Sequence, residues 1–441
     1  MSKTKLLSRI GQKASQNPMR VDLELYYEAE ENRYQPKENP SGKIAMNVAE
    51  NHLCWEMLRE RIQKITREND IPEWVASYTD PAGAPTFREA TAAFLSKFLT
   101  KIHLPAESLA FSGGATSVIE MTAFLLGNPG DTAVIPAPAY PVYTGDIGAL
   151  PGLKRFDLQT HQELEELNSG VSITAELLQK AKEEIEESGS TFRMLILTSP
   201  DNPTGMIYSQ SQLEILADWC EHNEIHLIVN EIYGLSRIDI SHPDLRQDYP
   251  QPIEFVSFGK LMAERKSPWL HLWYSFSKDL GISGFRIGLL HSYHEALISG
   301  YRNAGLGHSI SNYTQWVMQE VLKDEAFMES FIQKTQERLT ESYLIVVNSL
   351  RENHIPYQAS YGSLFVWMDL SLFLTDESEK AEQELWLEIY QEIGVLLTPA
   401  NGFGHQKRGL FRMVISGVDH PTLKEAMGRI QKFCQSKKET S

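Results

Sequence analysis

Hydrophobic positions along the chain form short continuous runs, separated by longer segments with helical spacing. The runs lie at about 109–113, 132–138, 193–200, 226–234, 271–277 and 287–292, and the stretches at 115–128 and 209–223 are amphipathic. Near-continuous apolar strands that alternate with helices are typical of a mostly parallel sheet covered by helices on both faces. We therefore predict an α/β fold between about residues 80 and 300.

After about residue 300 the pattern changes. Residues 314–353 have the spacing of a long helix with one interruption, and the strand-like runs 363–370 and 409–416 enclose a helical stretch at 382–395. This pattern indicates a smaller α+β domain. We predict an N-terminal segment at 1–60 that packs with the small domain, a large domain at 61–305 that holds the main site, and a small C-terminal domain at 306–441.

The composition of the chain argues against several kinds of binding partner. The chain has 441 residues, of which 42% are hydrophobic, and its formal net charge is −17, which disfavours binding to nucleic acids or anionic membranes. No segment approaches the ~18 apolar residues of a membrane-spanning helix, and the N-terminus lacks a secretory apolar core. Cys54, Cys220 and Cys434 match no metal or disulfide spacing. We predict a cytoplasmic protein without a metal site.

The run Y-S-F-S-K-D-L-G-I-S-G-F-R-I-G, residues 274–288, carries the most specific chemistry. Lys278 follows an apolar strand, where a buried ammonium is costly but a desolvated amine can form a Schiff base with a carbonyl. Ser275, Ser277 and Arg286 supply the hydroxyls and guanidinium that bind a phosphate dianion. An aldehyde that carries a phosphate is pyridoxal 5′-phosphate (PLP), which we predict as cofactor. The alternative is a surface turn with an ordinary lysine.

Two further runs end strands where ligands collect in open α/β sheets. In S-G-G-A-T-S, residues 112–117, Gly114 permits close backbone approach, and the amides of Ala115 and Thr116 open a helix that could bind phosphate. A simple capping turn explains this run equally well. Tyr140 in A-P-A-Y-P could stack on a flat ring, although core packing is the commoner role of an isolated tyrosine.

Later strand ends add polar groups. Asn202 lies in the turn T-S-P-D-N-P-T-G, and Asn230 and Tyr233 lie in V-N-E-I-Y-G; each could face the ligand, although the first run also has the composition of an ordinary turn. Arg412 lies in the apolar run G-L-F-R-M-V-I-S. A buried arginine needs an anionic partner, either a substrate α-carboxylate or a structural salt bridge.

Taken in order, these elements resemble a known family. The segments A-E-N, G-G-A-T, Y-P, N-P-T-G, E-I-Y, S-x-S-K-x-x-G-x-x-G-x-R-x-G and F-R follow one another from about residue 39 to Arg412. The chain resembles the class I/II aminotransferases of PLP-dependent fold type I, and within them most closely the 1-aminocyclopropane-1-carboxylate (ACC) synthase branch. The resemblance implies an α/β enzyme of amino acid metabolism with PLP as cofactor.

The resemblance also implies roles for individual residues. Lys278 is similar to the internal-aldimine lysine that later moves protons, and Tyr233 is its catalytic companion at the ring oxygen. The other matched cofactor positions are Gly114, Ala115, Thr116, Ser275, Ser277 and Arg286 at the phosphate, Tyr140 on the ring face, Asn202 at the ring oxygen and Asn230 at the ring nitrogen. The matched substrate positions are Arg412 at the α-carboxylate, with Asn202, Ala49 and Glu50 near it. Tyr78 resembles a tyrosine that reaches the neighbouring subunit's phosphate, which implies a homodimer with shared active sites.

Two positions depart from the family's pattern. Asn230 stands where the family has an aspartate that keeps the pyridine nitrogen protonated, and a neutral amide predicts slower transamination. Pro81 stands where ACC synthases have a tyrosine, which favours aminotransferase-type chemistry on an α-amino acid. The alternatives are an ACC synthase-like lyase, which would eliminate or cyclise, and a weakened PLP-binding pseudoenzyme.

Overall fold

The computed structural model describes residues 6–16, 22–160 and 173–440. Across these ranges, no helix combines the length and the apolar character that crossing a membrane requires. The α-helices are α1 (Arg9–Gln16), α2 (Leu23–Glu31), α3 (Trp55–Glu68), α4 (Pro85–Leu95), α5 (Ala115–Leu126), α6 (Tyr143–Gly148), α7 (Ala175–Glu187), α8 (Gln210–His222), α9 (Phe258–Arg265), α10 (Phe276–Asp279), α11 (Glu295–Ala304), α12 (Asn312–Leu322), α13 (Glu325–Glu352), α14 (Glu379–Ile393) and α15 (His420–Thr440).

Strands occupy shorter stretches of the chain. They are β1 (Ile44–Ala45), β2 (Leu109–Ser112), β3 (Thr132–Ala137), β4 (Lys154–Gln159), β5 (Phe192–Thr198), β6 (His226–Asn230), β7 (Leu270–Ser275), β8 (Gly288–Ser292), β9 (Phe365–Asp369), β10 (Val395–Leu396), β11 (Thr398–Pro399) and β12 (Leu410–Val414). Short 3₁₀ turns lie at Glu73–Ala76, Ala106–Ser108, Arg246–Asp248, Ser283–Phe285, Gly305–His308, Ser371–Phe373 and Ala400–Phe403, and a π-helical turn lies at Ser96–Thr100.

The main sheet has seven strands in the order β2-β8-β7-β6-β5-β3-β4. Strand β8 runs antiparallel to both of its neighbours, and the other pairings are parallel. The predicted mostly parallel α/β sheet is thus confirmed. All six apolar runs of the sequence are strands of this sheet, because residues buried on both faces need no polar alternation.

Both faces of the sheet are covered, as strand β5 shows. Met194 and Ile196 pack into one hydrophobic cluster, whereas Leu195 and Leu197 pack into another on the opposite face. Successive side chains of a strand point to opposite faces, so this alternation requires a layer on each side. The amphipathic stretch after β5 forms α8, which begins with a capping box between Ser209 and Gln212.

The C-terminal region has its own small sheets. Strands β11, β12 and β9 form an antiparallel sheet, and β1 pairs in parallel with β10. The predicted long helix is interrupted once, where Asp324 accepts a hydrogen bond from the Phe327 backbone N–H at 3.1 Å and starts α13. The predicted boundaries at 60 and 305 stay a proposal, supported by the β1–β10 pairing; residues 1–5 and 17–21 of the predicted N-terminal segment lie outside the described residues.

Candidate active site

The carboxyl ends of β3, β5, β6 and β7 open into one pocket of about 550 Å³. Its lining includes most of the residues predicted from sequence: Ala49, Glu50, Ala115, Thr116, Tyr140, Asn202, Asn230, Tyr233, Ser277, Lys278, Arg286 and Arg412. A second groove of about 770 Å³ shares only Val48 and Glu50 with it and contains none of the other residues in that set. The predicted chemistry therefore converges on the smaller cavity.

Lys278 reaches the pocket from α10, the short helix that follows the fully buried strand β7. Its Nζ donates a hydrogen bond to the Ala49 carbonyl oxygen at 2.5 Å. The next residue, Asp279, accepts hydrogen bonds from Leu235 N (2.9 Å), Ser236 Oγ (2.6 Å) and Tyr274 Oη (2.9 Å). Burial is the main cause that raises the pKa of Asp279, to about 7. These contacts tie the lysine's helix to the loop after β6 and hold in place the backbone from which the Lys278 side chain extends.

The N-terminus of α5 and Arg286 form a cradle. Gly114 precedes the helix with φ +93°, and a Cβ at this position would lie 2.4 Å from Arg286 Nη2. Arg286 has a left-handed φ of 56° and donates hydrogen bonds to the carbonyls of Ser283 (3.0 Å) and Gly113 (3.2 Å). A strained non-glycine residue that is held by its surroundings is common at ligand clamps. The cationic fork and the helix N–H groups together fit a phosphate dianion.

Three predicted residues lie outside the pocket lining. Ser275 is buried, and its hydroxyl donates to the Ile287 carbonyl at 2.7 Å and accepts from Ser277 N at 3.2 Å, because it caps α10. Ser277 lines the pocket instead. Gly114 acts through backbone shape. Tyr78 is 95% exposed and belongs to no wall of the pocket in a single chain.

Arg412 on β12 and Asn202 in the turn after β5 form one hydrogen-bonded unit in the pocket wall. Arg412 Nη1 donates to Asn202 Oδ1 at 2.9 Å, and Nη2 donates to the Asn47 carbonyl and to Thr398 Oγ1 (3.3 Å). The guanidinium also lies 4.6 Å from the ring centroid of Phe365. These contacts hold the planar group in one orientation, so it can present a fork to a carboxylate without first losing rotamer freedom.

The end of β6 forms a polar wall around Asn230. Its Nδ2 donates to Tyr143 Oη at 2.8 Å, and its Oδ1 accepts from the Ile232 N–H at 3.2 Å. Tyr143 Oη also lies 3.0 Å from Thr198 Oγ1. Burial raises the pKa of Tyr143 and of Tyr233, so both hydroxyls stay neutral and can donate. The contacts orient the Asn230 amide.

The structure adds pocket residues that sequence reasoning missed. They are Tyr143, Asp146, Thr198, Ser283, Trp386 and Phe403. Tyr143 and Asp146 follow Tyr140 at intervals of three residues, which is the spacing of one helix face and the signal that could have revealed them. The Tyr140 ring meets the Tyr143 ring edge-on, with centroids 5.4 Å apart.

Comparison with known proteins decides the family. The model of the family "Aminotransferase class I and II" matches residues 43–430. The chain belongs to the class I and II aminotransferase family. Among this family's curated members, ACC synthase 6 of Arabidopsis thaliana is 30% identical over 92% of the chain and 80% of its own length. An ACC synthase of Glycine max is 30% identical over 93% of the chain and 84% of its own length.

Solved structures of aminotransferases share the fold. An archaeal alanine:glyoxylate aminotransferase matches with a TM-score of 0.79 at 18% identity, over 99% of this chain and 100% of that one. A Thermus thermophilus aspartate aminotransferase mutant matches with a TM-score of 0.75 at 20% identity, over 97% of this chain and 99% of that one. These TM-scores show that the chain has the fold of these aminotransferases, and together with the family match they establish PLP-dependent fold type I.

The family membership fixes the coarse chemistry of this aminotransferase-family enzyme. Its cofactor is PLP, and its nearest named branch among the relatives above is that of the ACC synthases. The cradle at α5 and Arg286, the amine of Lys278 and the aromatic face of Tyr140 are the groups in this structure that fit the phosphate, the aldehyde and the ring. Within the described ranges, no group of three or more His, Cys, Asp or Glu side chains is placed to hold a metal ion.

Proposed function

We propose that the chain transfers the amino group of an α-amino acid, with Lys278 and Arg412 as its principal reacting and binding residues. The observation that carries the proposal is that the amine of Lys278 and the guanidinium of Arg412 line one pocket. PLP, when bound, supplies the electron sink for the carbanion at the substrate Cα. The protein must then hold the carboxylate, move the proton and exclude water.

Arg412 is proposed to hold the substrate carboxylate. Its guanidinium is already oriented by Asn202 and Thr398, and a bidentate pair with a carboxylate adds two charge-assisted hydrogen bonds. A fixed carboxylate fixes the direction of the Cα–H bond, and correct orientation is a large part of the rate enhancement of enzymes. Neighbouring Trp386 and Phe403 supply apolar surface for the substrate's side chain.

Lys278 is proposed to take the proton from the substrate Cα on Nζ. In this structure Nζ donates a hydrogen bond to the carbonyl of Ala49, which also lines the pocket. The short helix held by Asp279 keeps the lysine backbone still while its flexible side chain moves between the two positions. General acid–base steps of this kind contribute about 10²–10⁴-fold to a rate.

A lyase is the second candidate, favoured by the curated relatives. The eight relatives compared are all named ACC synthases, at 28–30% identity. Lyase and transferase chemistry both begin with removal of the Cα proton, so Lys278 and Arg412 serve either. Pro81 is the feature that favours transfer, because it replaces the tyrosine expected in the ACC synthase branch.

Product analysis separates the candidates. The holoenzyme is incubated with each of the twenty amino acids, with and without a 2-oxo acid acceptor, and the products are identified by mass. Transfer predicts a 2-oxo acid from the donor and an equal amount of the aminated acceptor. Ammonia or a cyclised product formed without an acceptor would contradict transfer and favour the lyase. A cofactor spectrum that no amino acid changes would favour the pseudoenzyme.

We also propose a homodimer with shared active sites. Tyr78 is 95% exposed, and the large apolar residues Ile71, Leu306 and Tyr313 are also exposed on nearby segments. Asn312 Nδ2 donates to the Ser77 carbonyl at 2.6 Å, so these segments form one surface. Burying it against a second copy would bring Tyr78 to the partner's cradle. Sedimentation equilibrium should give twice the chain mass of 50.1 kDa, and a monomer would contradict the proposal.

A further inference from the structure

Asp146 differs from the other acidic side chains that line the pocket. The others have partners: Asp22 accepts from Asn47, Glu50 from Ser283, Glu379 from Arg408, and Glu382 from the backbone N–H groups of Asn401 and Gly409. Asp146 is 2% exposed, yet neither of its carboxyl oxygens has a hydrogen-bond partner among the described residues. A buried carboxyl without a partner is costly, so the contents of the pocket must supply one.

The location of Asp146 indicates which part of the pocket it serves. It lies on α6 one turn after Tyr143, whose hydroxyl accepts from Asn230 Nδ2. On its other side is the Thr116 hydroxyl at the start of α5, which lies close enough to the carboxyl to lower its pKa and so partly oppose the effect of burial. The Asp146 carboxyl therefore lines the pocket near two groups: Tyr143, which contacts the Asn230 amide, and Thr116, which belongs to the cradle at the start of α5.

The surroundings of Asp146 allow it to change charge near neutral pH. Burial first, and then the charge of Glu120 on α5, raise its pKa to about 7. Glu120 itself lies 3.9 Å from His308, and on β4 Arg155 is paired with Asp157 at 2.6 Å. None of these charged groups forms an ion pair with Asp146, so a cation inside the pocket would face little competition for it.

We infer that Asp146 supplies the negative charge that position 230 lacks and shares a proton with the ring nitrogen of PLP. The proton leaves the Asp146 carboxyl and is taken up by the ring nitrogen, which leaves a carboxylate opposite a pyridinium and no change in total charge. The neutral Asn230 amide is oriented by Ile232 and Tyr143 and contributes a dipole only. This inference rests on the cofactor and holds for either transfer or lyase chemistry.

The direct test is the ¹⁵N NMR shift of the ring nitrogen. Holoenzyme is prepared with ¹⁵N-labelled PLP, and the shift is followed with pH in the wild type and in Asp146→Asn, which keeps the shape of the side chain. Loss of an opposite charge within ~4–6 Å should lower the pKa of the ring nitrogen by at least about one unit, a tenfold change in protonation. Asp70→Asn, at an exposed carboxyl, is the matched control and should change nothing.

A rescue experiment excludes a merely structural role for Asp146. Asn230→Asp in the Asp146→Asn background should restore the pKa of the ring nitrogen, because it returns a carboxylate to the same end of the ring. The inference is wrong if Asp146→Asn leaves the ring nitrogen's pKa unchanged. It is also wrong if the wild-type nitrogen stays unprotonated wherever the protein is folded, a result that needs no variant.

Binding of pyridoxal, which lacks the phosphate, separates the ring from the phosphate as the group that Asp146 contacts. Apoenzyme affinities for PLP and for pyridoxal are compared in the wild type and in Asp146→Asn. An effect on the ring weakens both ligands by the same factor. Weakening of PLP alone would show that Asp146 serves the phosphate and would overturn the inference. If the apoenzyme binds neither PLP nor pyridoxal, the assignment of PLP as cofactor is wrong, and the inference about Asp146 fails with it. A failure of the proposed amino transfer alone, seen in the product analysis, would leave the inference about Asp146 intact.

Discussion

The two ends of the pocket are built in different ways. The proposed phosphate end consists of a helix N-terminus, Gly114 and Arg286, which lie in sequence segments that resemble the family's motifs. The proposed ring-nitrogen end consists of Asn230, Tyr143 and Asp146, and Asn230 stands where the resemblance to the family implies an aspartate. One end is built from short sequence motifs, whereas the other depends on contacts between α6 and β6.

Because of this difference, one end of the pocket should set the affinity for PLP and the other the reactivity of the bound cofactor. A phosphate cradle retains the cofactor through charge-assisted hydrogen bonds that are the same whatever reaction follows. The environment of the ring nitrogen decides how readily the ring accepts electrons. A chain that keeps the first and alters the second should still bind PLP well while changing the rate or the outcome of its chemistry.

The largest loss of activity should come from substitution of Lys278, because the reaction needs its amine whichever end of the pocket is altered. Lys278→Ala should lower activity by about 10²–10⁴-fold, because the proton at the substrate Cα then has no acceptor in place. Borohydride reduction followed by peptide mass mapping should find the cofactor on the peptide with Lys278 in the wild type and on no peptide of the variant. Lys180→Ala, at an exposed site on α7, is the control. Labelling that persists in Lys278→Ala would refute the assignment.

Arg286 should affect affinity for the cofactor more than the chemistry of the bound form. Arg286→Ala should weaken PLP binding by roughly 10–100-fold, since hydrogen bonds to charged groups contribute about 1.5–3 kcal/mol each. The wild-type rate should return at saturating PLP. Equilibrium titration of the apoenzyme measures the first effect, with the exposed Arg59→Lys as control. If Arg286→Ala binds PLP normally but turns over substrate slowly, the assignment of affinity to one end of the pocket and reactivity to the other is wrong.

Asn230 should show the reverse behaviour. In the Asp146→Asn background, Asn230→Asp should raise the rate of transamination by roughly three- to tenfold, because a charge-assisted bond to the ring nitrogen is about twice as strong as a neutral one. Cofactor affinity should change less than the rate. Single-turnover kinetics with the best amino acid of the panel measures the rate. An unchanged or lower rate would contradict our account of this position.

Substitution of a buried histidine elsewhere in the main sheet should have the smallest effect on cofactor binding and activity, and should change the pH dependence of stability instead. His226 Nδ1 lies 3.0 Å from His271 Nε2, and burial lowers the pKa of His226 to about 3. The folded state therefore keeps His226 neutral, while the unfolded chain takes up a proton as the pH falls through the ordinary value near 6.5. Stability is complete above that pH and declines towards pH 3 without a change at the cofactor.

Chemical unfolding at several pH values tests this prediction. His226→Gln should reduce the slope of the free energy of unfolding between these limits by about 1.4 kcal/mol per pH unit, the equivalent of one proton. His103→Gln, at an exposed histidine, should not reduce it. An equal change of this slope in both variants would mean that acid destabilises the protein through its total charge and not through the buried His226.

Much of the fold followed from sequence because its signals are local. The apolar runs that became β5, β6 and β7 are buried along their length, and the capping residue of α8 directly precedes it. The order of strands in the sheet is not local. Nothing in the run at 287–292 indicated that β8 would lie antiparallel between β2 and β7, because its side chains are buried equally well in either direction.

For the site, sequence alone determined the cofactor, the candidate lysine and the phosphate cradle, since these depend on residue types at short fixed spacing. Only the tertiary structure decided that the Ser275 hydroxyl turns to the Ile287 carbonyl and that Tyr143 contacts the Asn230 amide. It also decided that the carboxyl oxygens of Asp146 are buried and find no hydrogen-bond partner within the part of the chain that the structure describes. Those outcomes depend on which groups meet across elements far apart in the chain. A hydrogen-bond partner supplied by another element leaves no trace in the local pattern of residues.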